Sequence, residues 1–150
     1  IDWGIILLYG GGMALGSMAF QTGLAEAIGK GLTAWLPSDT SGWVLIGAAA
    51  VVAVFTSEFT SNTASANMVV PVAIALASAS GGDPLSTAIV ATLAASLGFM
   101  MPASTPCNAI VYCTGRVPLR SIMRAGIGLD IAGAVTVTLV VTILVPLIFH

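Results

Sequence analysis

Apolar residues in this chain fall in long uncharged stretches separated by short polar clusters. The first covers 3–25, with 23 residues and no charge. A bilayer-spanning helix needs about 20 such residues, so this stretch predicts a transmembrane helix. Residues 26–42 read as an outside connection, amphipathic and helical as far as Pro37. Residues 43–80 differ. The stretch 43–56 is only 14 residues long, the polar run through Ser57-Glu58-Phe59-Thr60-Ser61-Asn62-Thr63 interrupts it, and residues 66–77 are apolar again. An arm of about 14 residues reaches about 21 Å, short of a hydrocarbon core of about 30 Å. The pattern predicts a re-entrant helical hairpin with its tip at 57–63. Two full spans joined by an external loop satisfy the same parity.

Residues 84–115 predict a transmembrane helix broken at 101–107, with 85–100 and 108–113 helical. Pro102 and Pro106 remove two backbone donors and disfavour helix at the residues before them. Residues 116–124 form a basic connection, and 125–149 predict the last transmembrane helix. Arg116, Arg120 and Arg124 recur every four residues, which places them on one face of a short surface helix. The positive-inside rule puts that connection in the cytoplasm, and both ends of the hairpin outside.

Composition sharpens the class. Of 150 residues, 57% are hydrophobic and 7% charged, with four Lys/Arg, six Asp/Glu and one His. Soluble domains carry roughly a quarter charged residues. A mean hydropathy of +1.06 agrees. This excludes a disordered chain, a nucleic-acid binder and an ordinary cytosolic enzyme, and leaves an all-α integral membrane protein. The net charge of −2 suggests no electrostatic partner. Cys107 and Cys113 read as packing residues. Gly10-Gly11-Gly12 with Gly16 suggests close helix packing. No signal peptide is visible, and the chain opens at Ile1, which suggests a piece of something longer.

Function is expected at the two polar breaks, because discontinuous helices in an apolar chain point to a transporter site. Helix N-termini there suit an anion, and C-terminal carbonyls suit a small hard cation such as Na⁺. Ser61-Asn62-Thr63 precedes a helix start, where a carboxylate can be held without Arg or Lys; simple capping is the plainer alternative. Glu58 is the acid inside the apolar region, a candidate for a transport role, or else for a structural hydrogen bond within the hairpin or a tip dipping into water. Asn108 is placed to orient the second break. Asp130 reads as a helix start near the membrane surface. No catalytic constellation supports an enzyme.

Three stretches carry a resemblance: Asp2-Trp3-Gly4-Ile5-Ile6-Leu7-Leu8-Tyr9-Gly10-Gly11-Gly12, Glu58-Phe59-Thr60-Ser61-Asn62-Thr63-Ala64-Ser65, and the run from Phe99 through Pro102, Pro106 and Asn108 to Val111. Together they resemble the C-terminal half of the divalent anion:sodium symporters, most closely the bacterial dicarboxylate transporters. Ser96, Phe99, Pro102, Asn108 and Val111 stand at the family's signature spacing. Ala103 and Cys107 depart from it, where a branched aliphatic and a proline are usual.

The resemblance implies one of two inverted repeats, each with a hairpin and a broken helix, in a homodimer that moves substrate by an elevator-like shift. It assigns Asn62 and Thr63 to the substrate carboxylate, with Ser61 nearby and Thr105 and Pro106 lining the pocket. It assigns Na⁺ to carbonyls of Ser57, Thr60 and Ser104 and to the Asn62 side chain. The missing N-terminal half, with the first Ser-Asn-Thr hairpin, is expected upstream or on another chain. The implied function is sodium-coupled symport of di- or tricarboxylates such as succinate across the inner (plasma) membrane. The alternatives are sulfate or another inorganic divalent anion, and a non-transporting membrane scaffold.

Overall fold

The computed structural model describes residues 42–102 and 104–149, with isolated positions at 14, 18, 21–24 and 27. Most of the expected first transmembrane helix, the Gly-rich packing face and nearly all of the 26–42 connection lie outside the described residues.

All regular structure among the described residues is helical: α1 (Gly42–Phe59), α2 (Asn62–Ser80), α3 (Pro84–Ala94), α4 (Pro106–Cys113) and α5 (Leu119–Phe149). Three of these are long and apolar enough to cross a membrane, over Gly42–Phe59, Asn62–Ser80 and Leu119–Ile148. The exposed surface is apolar in the manner of a lipid-facing one, with Val51, Phe55, Phe59, Ile131, Ile143 and Leu147 outward. Ser57, Glu58, Ser65, Ser86, Thr87, Ser104 and Asp130 are instead buried. That inversion is stable where the surrounding solvent is hydrocarbon and polar groups must find partners inside the protein.

α1 and α2 form a hairpin turned by Thr60 and Ser61. Ser61 caps α2, its hydroxyl accepting from the Ala64 N–H at 3.2 Å. Farther from the turn, the buried Ser65 hydroxyl donates to Ala53 O at 3.0 Å. At the open end, Gly82 sits against the Leu45 side chain. Partners thus separate steadily in sequence, as antiparallel arms require. The polar run does not shorten the first arm as expected: Thr56, Ser57, Glu58 and Phe59 continue α1, giving arms of 18 and 19 residues. Thr56 and Thr60 keep the last turn closed, each hydroxyl donating to a carbonyl four residues back, at 2.7 and 2.9 Å. α2 ends at Gly81, whose φ of +72° is the left-handed conformation that glycine adopts without strain.

Asp83 caps α3, accepting from the N–H groups of Leu85 (3.0 Å) and Ser86 (3.1 Å) and from the Ser86 hydroxyl. α3 packs against α1, α2 and α5. The core between them is made of small residues: Ala49, Ala50, Ala53, Ala73, Ala91 and Ala94, with valines between. Small side chains let helix backbones approach closely, which is how helices associate where lipid removes the hydrophobic driving force.

Three expectations about extent are corrected. α3 ends at Ala94, so the non-helical interruption starts at Ala95 rather than 101. α5 begins at Leu119, which places Arg120 and Arg124 on its first turns and Arg116 in the preceding turn, rather than all three on a separate short helix. All three remain exposed. Cys107 and Cys113 are exposed, not core packing residues. They lie on α4, which buries no residue among those described.

Candidate functional site: an oxygen-rich break between two helix starts

The interruption after α3 passes beside the hairpin tip. Ser57, fully buried at the end of α1, places its hydroxyl 2.7 Å from Ala95 O and 2.8 Å from Asn62 Oδ1. The Asn62 amide nitrogen lies 3.5 Å from Ser96 O. Ser104 mirrors this from the far side of the break, its hydroxyl 2.6 Å from Gly98 O and 2.8 Å from Met101 O. Asn108 donates to the same two carbonyls, at 3.2 and 3.3 Å. Gly98 is the point of closest approach: a Cβ there would stand 3.0 Å from Ser57 Oγ and 3.1 Å from Ser104 Cβ. A side chain would hold the two serines apart.

Oxygens crowd this point. The single hydroxyl proton of Ser57 faces two acceptors, Ala95 O and Asn62 Oδ1, while Gly98 O and Met101 O are shared between the Ser104 hydroxyl and the Asn108 amide. The oxygens are neutral hydroxyl, amide and carbonyl groups, the donor set a small hard cation prefers.

The carboxyl groups stand on the other side of the same backbone. Glu58 accepts from the N–H groups of Met100 (2.9 Å) and Met101 (2.6 Å). Asp130 of α5 accepts from the Phe99 N–H at 3.1 Å. Both are buried, at 2% and 7% exposure, and they lie against each other beneath apolar side chains including Val54, Phe55, Ile127 and Ile131. Three consecutive backbone donors offset what would otherwise be a prohibitive burial. Asp130 is therefore in the middle of α5 and not at a helix start. Glu58 makes a structural hydrogen bond, but to the break and not within the hairpin.

The sequence-derived candidates divide accordingly. Ser57, Asn62 and Ser104 converge, with Asn108 and Glu58 on the same stretch of backbone. For Ser57 and Ser104 the described contacts come from the hydroxyls. Thr60 is turned to Thr56 O within the tip. Ser61 and Thr63 occupy the cap and first turn of α2, and Thr105 and Pro106 the same places on α4, where Thr105 accepts from the Asn108 N–H at 3.2 Å. The two helix starts thus flank residues 96–98 through Asn62 and Asn108. Missed by the sequence reading are Gly98, Gly126 and Gly133, and Asp130 was read only as a helix start near the membrane surface. Gly126 packs its backbone on the Phe99–Met100 peptide, and Gly133 meets the Leu97 side chain. The spacing of 126, 130 and 133 by four and three marks one helix face, and was the available signal.

Residues 1–149 match the sodium:sulfate symporter transmembrane region. The chain belongs to that family. It is 35% identical over 146 residues to the sodium-dependent dicarboxylate transporter SdcS of Staphylococcus saprophyticus, which covers 97% of this chain and 28% of that protein. It is 40% identical over 139 residues to solute carrier family 13 member 2 of Mus musculus, covering 93% of this chain and 23% of the relative. A transporter of Haemophilus influenzae is 34% identical over 137 residues, 91% and 29% of the two chains. The chain spans about a quarter of the length of these relatives.

Proposed function

We propose that this chain supplies one half of the binding site of a sodium-coupled symporter for divalent anions, with dicarboxylates such as succinate as substrate. The crowding of neutral oxygens at the break carries the reading. Sodium, as co-transported substrate, lies among Ser57 Oγ, Asn62 Oδ1, Ser104 Oγ and the carbonyls of Ala95, Gly98 and Met101, where the one Ser57 proton cannot serve both of its acceptors. Part of the Thr60 backbone completes the set at the tip. The anion's carboxylate lies at the starts of α2 and α4, received by Ser61, Asn62 and Thr63 on one side and by Thr105 and Pro106 on the other. No cationic side chain is needed, because helix N-termini and a neighbouring sodium ion supply the positive potential. Asn62 belongs to both sets, so each ligand raises the affinity for the other.

In the membrane, α1 and α2 form a re-entrant hairpin. Each arm is about 27 to 29 Å long, near the hydrocarbon thickness. Ser57 and Glu58 at the end of α1 are buried and bonded to the break of the interrupted helix, which favours a tip inside protein over an external loop. The exposed arginines at 116, 120 and 124 face the cytoplasm of a plasma-membrane protein. The second half of the site comes from an inverted repeat elsewhere, the assembly is a homodimer, and hairpin and broken helix move together as an elevator. The dicarboxylate name of the Staphylococcus saprophyticus relative favours succinate; the family's sulfate description makes sulfate the second candidate.

Thermal unfolding of the detergent-purified full-length protein in NaCl and in choline chloride, each with succinate or sulfate, tests this. Binding to the folded state at about a hundred times Kd adds about 2.7 kcal/mol, a shift of several degrees. Succinate stabilisation that needs sodium is the expected result. The same behaviour with sulfate alone changes the substrate. Stabilisation by neither anion in either salt overturns the reading.

A further inference from the structure

The peptide group joining Gly98 to Phe99 is held at both ends. Its carbonyl accepts from Ser104 Oγ (2.6 Å) and Asn108 Nδ2 (3.2 Å), inside the oxygen cluster. Its N–H donates to Asp130 (3.1 Å), on the opposite side. A planar trans peptide points its N–H and C=O in opposite directions, so fixing one fixes the other. The next two N–H groups are held by Glu58. Asp130 is the one member of this arrangement on α5, which reaches the break through no helix-to-helix loop but through direct packing: Gly126 lies against Phe99 and Met100, one turn before Asp130, and Gly133 against Leu97, one turn after. Nothing larger than glycine fits at 126 without displacing the Met100 backbone.

We infer that Asp130 is a positioning residue for the cation site, acting through the Gly98–Phe99 peptide. It does not touch the cluster. Its carboxyl oxygen turns the Gly98 carbonyl toward Ser104 and polarises it, since a hydrogen bond accepted from the N–H end of a peptide strengthens its carbonyl as an electron-pair donor at the other. The position of α5 is thereby read out at the sodium ligands. The inference rests on the sodium reading given above.

The test is sodium-driven succinate uptake into proteoliposomes by the full-length protein, across a range of sodium concentrations. Asp130→Ala removes the acceptor and is expected to raise the half-saturating sodium concentration at least about ten-fold, with the maximal rate at saturating sodium held within about two-fold. Asp130→Asn keeps an oxygen facing Phe99 and is expected to restore most of the sodium dependence, to within about three-fold of wild type. A residue that served stability alone would lower thermal stability and leave the half-saturation unchanged, and that result overturns the inference. Hydrogen exchange in the wild-type protein reads the same coupling without a variant. Sodium alone is expected to slow exchange at the amides of Phe99, Met100 and Met101, and unaltered exchange there, with slowing at the start of α2, also overturns it. Absence of sodium-dependent uptake in the wild type is a different failure, that of the transport reading itself.

Discussion

Placing a methyl group on Gly98 tests the oxygen cluster most directly. The new Cβ would lie 3.0 Å from Ser57 Oγ, 3.1 Å from Ser104 Cβ and 3.3 Å from Ser104 Oγ. Ordinary contacts between such atoms begin near 3.5 Å, so each neighbour must retreat by a few tenths of an ångström. Neither can do so cheaply. Ser57 is fully buried and bonded to Ala95 O, and Ser104 is 5% exposed and bonded back to Gly98 O itself. Overpacking of this kind costs about 1–3 kcal/mol. The strain falls on the ligand oxygens, so most of it appears as lost sodium affinity, about 5- to 150-fold in half-saturating concentration at 1.4 kcal/mol per decade. The assay is sodium-dependent stabilisation of purified Gly98→Ala, followed by uptake in proteoliposomes. Gly47→Ala is the control, because its Cβ would meet only a Thr138 methyl at 3.8 Å, an ordinary contact. A folded Gly98→Ala protein with wild-type sodium half-saturation would show that the two serines do not form one site.

Ser65→Ala removes the hydroxyl that ties α2 to Ala53 O across the hairpin; it should lower stability by about 0.5–1.5 kcal/mol in a thermal melt and leave sodium half-saturation unchanged. Asp83→Ala strips the cap from α3, where two N–H groups and the Ser86 hydroxyl depend on it, and a loss of about 1–2 kcal/mol is expected in the same melt. Cys113, exposed at the end of α4 and three residues before Arg116, should react with a membrane-impermeant maleimide offered from the cytoplasmic side of oriented vesicles, and labelling only from the opposite side refutes the assigned orientation.

The hairpin, its Ser61 cap and the break near Pro102 were legible because prolines, capping residues and uncharged runs act locally. The end of α3 was not. Nothing in Ala95-Ser96-Leu97 breaks a helix by propensity. The chain leaves the helix there because partners distant in sequence take its backbone: the Ser57 hydroxyl binds Ala95 O, and Asp130 and Glu58 hold the amides of Phe99, Met100 and Met101. Asp130 was misread for the same reason. An acid in an apolar helix looks like a surface mark until its donor, 31 residues earlier, is found. Asn62 was marked by its place at a helix start and Ser57 and Ser104 by resemblance, and the meeting of the two serines at Gly98, with Asn62 on Ser57, required the fold.

The alanine core sets how this half-site can evolve. At Ala50, Ala53, Ala91 and Ala94, all fully buried, the substitutions open to selection are almost all oversized, and the exception, glycine, loosens the helix that carries it. A drift toward larger residues is poorly absorbed by choosing another rotamer, because many of the packed neighbours are themselves alanines, which have no rotamer to change. Variation that retunes such a protein for another anion is therefore channelled outward, to the helix starts and to the lipid-facing side chains, while the interhelical distances that hold the serines opposite one another are inherited nearly unchanged.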